Sequence, residues 1–201
     1  CSLAMIRQVG ITGGIGSGKS VVCRIFKTLG IAIYDADSRA KELMTTDGIL
    51  IHEIKKEFGN LSYHPDGKLD RSFLARMVFQ DDARLKKLNE LVHPRVAIDY
   101  QHWVEDQKSP YVIREAALLY ETGADKLVDF MMVVSAPESV RVARVLKRDV
   151  HRTEADVKAI MARQMPEEEK IKRADAVIVN DERQALLPQV LKLHERLLYR
   201  N

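Results

Sequence analysis

A chain of 201 residues, 46% hydrophobic and 30% charged, has material for one compact domain with a real core, elaborated at most by an insertion. Its net charge of +3 suits anionic small molecules and lies far below the density of a dedicated nucleic-acid binder, so no nucleic-acid partner is expected. Two cysteines, Cys1 and Cys23, rule out a disulfide framework, and apolar runs as short as FMMVV (130–134) cannot span a bilayer. With no signal-peptide pattern, these features predict a cytoplasmic protein with no membrane partner. CSLA ahead of Met5 reads as a cloning remnant before the native start.

In chain order the first predicted element is a strand, IRQVGIT (6–12), followed by a glycine-rich run and a helix, VVCRIFKTLG (21–30), that Gly30 stops. Cys23 falls inside that helix as a small core residue. A second strand, IAIYD (31–35), leads into DADSRAK. No strand is expected between Asp37 and Pro110. AKELM, IHEIKKEF, RSFLARMVF and ARLKKLNELV read as amphipathic helices, broken at HPDGK (64–68) and again at His93-Pro94, where Pro94 is placed in the first turn of a new helix through VAIDYQHWVE. A structureless loop of that length is implausible in a compact domain, so the segment is expected to be a helical insertion.

Strands YVIRE (111–115) and FMMVVSA (130–136) follow, then helices ESVRVARVLKRD, TEADVKAIMARQ (capped by Thr153 and Asp156) and PEEEKIKRA. A last strand, AVIV (176–179), precedes a terminal helix from about Glu182. Continuous β-branched strands alternating with helices predict a doubly wound α/β fold with a parallel sheet.

The chemistry begins at GGIGSGKS (13–20), which matches G-x-x-x-x-G-K-[ST] with a strand before it and a helix after it. Gly13, Gly14, Gly16 and Gly18 let the backbone turn successive amides inward, Ile15, Ser17 and Val21 are counted among the residues of the same binding loop, and the helix aims its positive end at the same point. Lys19 would neutralise the terminal phosphates and Ser20 would ligate Mg²⁺, which makes ATP or GTP the expected ligand. No N-K-x-D motif reads a guanine base. Glu115 is only a weak match to the metal-binding acid that ends a strand in motor and transporter ATPases. A small-molecule kinase remains. Asp35 and Asp37 stand at the carboxyl end of the second strand, where ligands sit in open α/β sheets. Asp37 could take the proton of an acceptor hydroxyl, and Asp35 could position the acceptor or act through the metal; either could instead cap the next helix. Arg141, Arg144 and Arg148 share one helix face, with Arg152 and Arg163 further along, and form either a solvated stripe or a cationic lid. No histidine pair suits zinc.

Several blocks together resemble dephospho-coenzyme A kinases: GITGGIGSGKS (10–20), DAD (35–37), LNELVHP (88–94), LLYE (118–121), RVLKRD (144–149) and RQMPEEEKIKRADAVIVND (163–181). They fall in that family's order across nearly the whole chain. The resemblance implies a P-loop parallel sheet of order 2-3-1-4-5 flanked by helices. It also implies a nucleotide-binding core at 5–37, 109–137 and 173–201, a helical coenzyme-binding insertion at 38–108 and a lid at 138–172. The implied activity is ATP-dependent phosphorylation of the ribose 3′-hydroxyl of dephospho-CoA, the last step of coenzyme A synthesis, by a monomer or weak homo-oligomer using Mg²⁺. Asp37 then matches the base, Lys19, Arg144 and Arg148 the catalytic cations, and Asn180 a segment near the adenine. Two departures stand out: Val21 replaces the common threonine, and Ala117 replaces the proline of Pro-Leu-Leu. His93, Trp103 and Glu121 each admit either a role at the acceptor or a purely structural one.

Overall fold

The computed structural model describes residues 6–78 and 81–199; the expectations for Cys1 to Met5, and for Phe79 at the end of a predicted helix, lie outside these. Five strands form one parallel sheet: β1 (Arg7–Thr12), β2 (Ala32–Asp35), β3 (Tyr111–Glu115), β4 (Phe130–Ser135) and β5 (Ala176–Val179), in the order β2-β3-β1-β4-β5. This is the expected 2-3-1-4-5 arrangement. The central strands carry apolar runs rather than strict alternation, Phe130 to Val134 of β4 being unbroken, because helices cover both faces and leave no wet side. Val9, Ile11, Ile113, Met132 and Val134 are buried in one core with Phe26 of α1 (Lys19–Thr28) and Val190, Leu193 and Leu197 of α9 (Leu186–Leu198). Helix α1 ends where expected: Gly30 adopts φ 85°, a left-handed conformation open to glycine at little cost.

Between β4 and β5 lie α6 (Glu138–Arg148), α7 (Glu154–Arg163) and α8 (Glu167–Arg173). Thr153 and Asp156 form the predicted reciprocal cap on α7. Val142 and Val145 of α6 pack on Val157 of α7, with Ile15, Leu146 and Met161 around them. These elements belong to a unit made of the chain up to Asp35 and from Gln107 onward; residues Ala36–Asp106 form a second compact unit.

The second unit holds α2 (Ala36–Thr46), α3 (Gly48–Phe58), α4 (Arg71–Val78) and α5 (Asp82–Glu105). Asp47 caps α3 by accepting from the Leu50 amide at 2.9 Å and is gripped by Arg95 at 2.9 and 2.8 Å. Two expectations fail. Helix α5 runs unbroken through Pro94, because its ring and Glu90, whose carbonyl loses its bond, both face solvent, while Val92, Val96 and Tyr100 hold the buried face together. Helix α9 starts at Leu186 rather than near Glu182, because Asp181 accepts from the amides of Arg183 and Gln184 in a local turn and Glu182 has φ 68°.

Candidate active site

The glycine-rich run leaves the carboxyl end of β1 and turns into α1, with Gly16 at φ 79° and Gly18 at φ 90°. Crowding reinforces the conformational demand. A methyl group on Gly16 would run into the Arg141 carbonyl, one on Gly18 into the Asn180 side chain, and one on Gly14 into the Arg141 guanidinium. The loop closes on itself through Ser17 N–H donating to Gly14 O at 3.0 Å. Lys19 and Ser20 open α1, so their amides have no intrahelical acceptor and face the ligand side with the positive end of the helix.

Gly14, Gly16 to Ser20, Glu115, Arg144, Val145 and Arg148 enclose a cradle of about 310 Å³. The fold thus brings Lys19 and Ser20 of α1 together with Arg144 and Arg148 of α6, two stretches far apart in sequence. Arg144 is braced: it donates to Gly16 O at 3.3 Å, Ser17 O at 3.5 Å and Asn180 O at 2.8 Å, and pairs with Glu182 at 3.2 Å. Asn180 in turn donates to Ser17 O at 2.8 Å, so the tail segment is tied to the phosphate loop. Arg148 is 63% exposed and holds only its neighbour Asp149 among the described ion pairs, at 2.9 Å. That bond keeps the Asp149 carboxyl below the usual range.

Arg141 departs from the shared stripe. It is 9% exposed, pairs with Glu167 at 3.0 Å and lies against Gly14. It also lines a larger neighbouring cleft, about 880 Å³, at the carboxyl ends of β4 and β5 under α7 and α8. Arg152 pairs with Asp149 at 3.2 Å, and Arg163 is exposed. Val21 is exposed on the first turn of α1.

The model of the dephospho-CoA kinase family matches residues 7–185. A dephospho-CoA kinase of Methylococcus capsulatus is 39% identical over 189 residues, covering 94% of this chain and 95% of its own. The chain belongs to the dephospho-CoA kinase family. A crystal structure of a Thermus thermophilus protein, 35% identical, covers 96% of each chain with a TM-score of 0.82. The dephospho-CoA kinase of Campylobacter jejuni, at 22% identity, covers 96% of this chain and 98% of its own with a TM-score of 0.62, a likeness of fold.

Membership in the dephospho-CoA kinase family agrees with the order of the sequence blocks, and the structure shows what two of the unassigned ones do. Glu121 is structural: it accepts from Met165 N–H at 2.7 Å and pairs at 3.0 Å with Lys170, which is 1% exposed. The turn at Ala117, the residue that departs from the family's common Pro-Leu-Leu, is held through its carbonyl, which accepts from Thr12 Oγ1 at 3.1 Å and Lys170 Nζ at 3.4 Å. Glu115 was underrated by the sequence. Because β3 lies beside β1, Ile11 pairs with Glu115 in register and the carboxylate reaches the cradle wall, a placement that only strand order reveals. Glu115 also bonds the Cys23 thiol; burial first, then this carboxylate, push that thiol far above its ordinary value, so Cys23 is inert core.

Asp35 ends β2, paired in register with Glu115, and is exposed. Asp37 lies in the first turn of α2 and is exposed. In the second unit His93 is mid-helix on α5 rather than at a helix start, and Trp103 stacks on Tyr100 at 6.1 Å. Among the described residues no group of three His, Cys, Asp or Glu could hold a metal unaided, and no helix is long and apolar enough to cross a membrane.

Proposed function

We infer that this chain transfers the γ-phosphoryl group of ATP to the ribose 3′-hydroxyl of dephospho-CoA, giving coenzyme A and ADP in the last step of coenzyme A synthesis. The observation that carries the reading is the cradle of Gly14, Gly16 to Ser20, Arg144 and Arg148, built in a chain that belongs to the dephospho-CoA kinase family. Backbone amides at the start of α1, with the loop amides other than those of Ile15 and Ser17, hold the β- and γ-phosphates, and Lys19 offsets the charge that develops as the β–γ bridging bond breaks toward ADP. Arg144, already oriented by Asn180 and the loop carbonyls, and Arg148, with a long and mostly exposed side chain, complete the cationic shell. Asp37 accepts the proton of the 3′-hydroxyl as the new O–P bond forms; a positioned base of this kind contributes about 10²–10⁴-fold.

Mg²⁺ fits the donors present. The Ser20 hydroxyl is exposed at the head of α1 and the Glu115 carboxylate stands on the same wall, both hard oxygen ligands, with Asp35 beside Glu115 in the sheet. When bound, the ion would neutralise phosphate charge. The core at 5–37, 109–137 and 173–201 binds ATP, Asn180 standing toward its adenine. The insertion at 38–108 holds the coenzyme, and the segment 138–172 closes as a lid that keeps water from the γ-phosphate. The enzyme acts in the cytoplasm, as a monomer or weak homo-oligomer.

The test is ADP release from MgATP with dephospho-CoA, adenosine, AMP, pantothenate, shikimate and water as acceptors. Fast turnover with dephospho-CoA alone, giving a 3′-phosphate, is expected. Preference for another acceptor would overturn the substrate, and no turnover above the water rate would overturn the kinase reading in favour of a nucleotide-dependent switch.

A further inference from the structure

Within GGIGSG only Ile15 and Ser17 carry side chains, so the loop has few means of holding its own apex. The structure supplies them from the segment between β4 and β5. Gln164, the residue that ends α7, accepts the Ile15 amide proton on its side-chain oxygen at 3.0 Å, a bond spanning 149 residues. An N–H can be met only by the amide oxygen, which fixes how the Gln164 side chain is turned. The Ile15 side chain packs into the small apolar cluster of Val142, Val145 and Val157 that joins α6 to α7. The apex of the phosphate loop is therefore also part of the α6–α7 hairpin.

The link that follows α7 is equally well tied down. Met165 N–H is taken by Glu121 at 2.7 Å, and Glu167 accepts from Ala136 N–H at 3.0 Å while pairing with Arg141 at 3.0 Å. On the other side of the hairpin, Arg144 of α6 donates to Gly16 O and Ser17 O. The hairpin thus grips the loop twice, through Gln164 at the end of α7 and through Arg144 in α6. Neither grip could shift without moving the backbone that receives the phosphates.

We propose that Gln164 is a positioning residue for phosphoryl transfer: by holding the Ile15 amide it couples the geometry of the phosphate loop to the seating of the α6–α7 hairpin, and so sets where Arg144 and Arg148 stand over the transferring group. The proposal rests on the kinase reading above, but two of its readouts do not depend on the acceptor. Gln164→Met keeps the length and bulk of the side chain and removes the strong acceptor. Because the Gln164 side-chain oxygen is engaged by the Ile15 amide, its loss acts through misplacement of the loop, which can cost about 10²-fold in turnover.

The experiment compares Gln164→Met with the parent in four measurements. Exchange of the Ile15 amide, followed by NMR, is expected to accelerate at least about 10-fold, and ADP affinity by calorimetry to fall about 3- to 10-fold, the worth of one such bond. With dephospho-CoA as acceptor, kcat is expected to fall about 10- to 100-fold with KM for that acceptor unchanged, and ATP hydrolysed to water per phosphoryl transferred is expected to rise. A structural role alone would lower the urea midpoint and leave the hydrolysis ratio where it was. Unchanged Ile15 exchange and ADP affinity would overturn the coupling, whatever the acceptor proves to be. Lost turnover with parental hydrolysis ratio would overturn the positioning role. If the parent does not phosphorylate dephospho-CoA, the functional reading fails while exchange and ADP affinity still decide this one.

Discussion

Lys170 offers the sharpest test of how the segment after the α7 helix is held. Its ammonium is 1% exposed and lies 3.0 Å from Glu121 and 3.4 Å from the Ala117 carbonyl, while Glu121 also takes the Met165 amide proton. Replacing the lysine by methionine strands a carboxylate that is 19% exposed. Breaking a fully buried pair costs about 3–5 kcal/mol, and the residual hydration of Glu121 together with its amide bond lowers the expected loss to about 2–3 kcal/mol. Glu121→Gln strands an ammonium that is 1% exposed, offset only by the carbonyl that still accepts from both donors, so about 2–3 kcal/mol is expected. In the double variant neither charge remains, the glutamine still serves Met165, and methionine fills the space of the lysine stem. The double variant should therefore cost about 2 kcal/mol, well short of the sum, with a coupling energy of about 2–4 kcal/mol. Urea unfolding followed by circular dichroism measures it, 2 kcal/mol being about 1–2 M in midpoint at a slope of about 1–2 kcal/mol/M. A double variant whose loss equals the sum of the singles within about 0.5 kcal/mol would refute the reasoning, since independent sites add.

Gly16→Ala should weaken ADP binding at least about 10-fold by calorimetry, because a left-handed alanine costs about 1–2 kcal/mol and its methyl meets the Arg141 carbonyl. Gly30→Ala, at φ 85° with open space around it, should cost the same conformational energy and leave ADP binding at the parental value. Asp37→Asn is expected to retain ATP and lose about 10²–10⁴-fold in kcat; parental turnover would remove Asp37 from the role of base. At Asp47, burial works to raise the carboxyl, but the Leu50 amide and then Arg95 outweigh it and hold the folded value below normal. The stabilisation is thus present above the unfolded value of about 3.9 and lost as pH falls through the folded one. Asp47→Ala should lower stability at pH 7 by about 1–3 kcal/mol, from a lost cap and a partnerless Arg95, and the gap from the parent should shrink steadily below about pH 4. A gap that does not narrow as the pH falls below about 4 would mean that the carboxylate charge is not what stabilises α3.

The features legible in the sequence are those whose causes lie within a few residues. Eight consecutive positions specify the phosphate loop, since only glycine takes the turns at Gly16 and Gly18 and only Lys19-Ser20 follow them into a helix. Thr153 and Asp156 cap α7 by contacts three residues apart, and Gly30 ends α1 by its own φ. Where local rules failed, tertiary packing had outvoted them. Pro94 reads as a helix start, yet the buried stripe of Val92, Val96 and Tyr100 carries α5 straight through it. Lys170 stands in EEEKIKR among solvent-facing charges, and nothing nearby in the chain announces that it is buried against Glu121.

The sequence alone determined the chemistry, a phosphate-binding loop with its lysine and serine, because that chemistry uses backbone amides and side chains adjacent in the chain. It also determined the class of fold, through continuous apolar strands alternating with helices. Strand order came into the reading only through resemblance, since which strand pairs with which is a matter of long-range packing that no local pattern records. Tertiary structure decided that Glu115 reaches the cradle, that Arg141 turns away from its stripe toward Gly14 while Arg144 grips the loop, and that Gln164 holds Ile15. Each of these contacts joins residues at least 25 positions apart in sequence and close only once the sheet has formed, and so belongs to the folded chain alone.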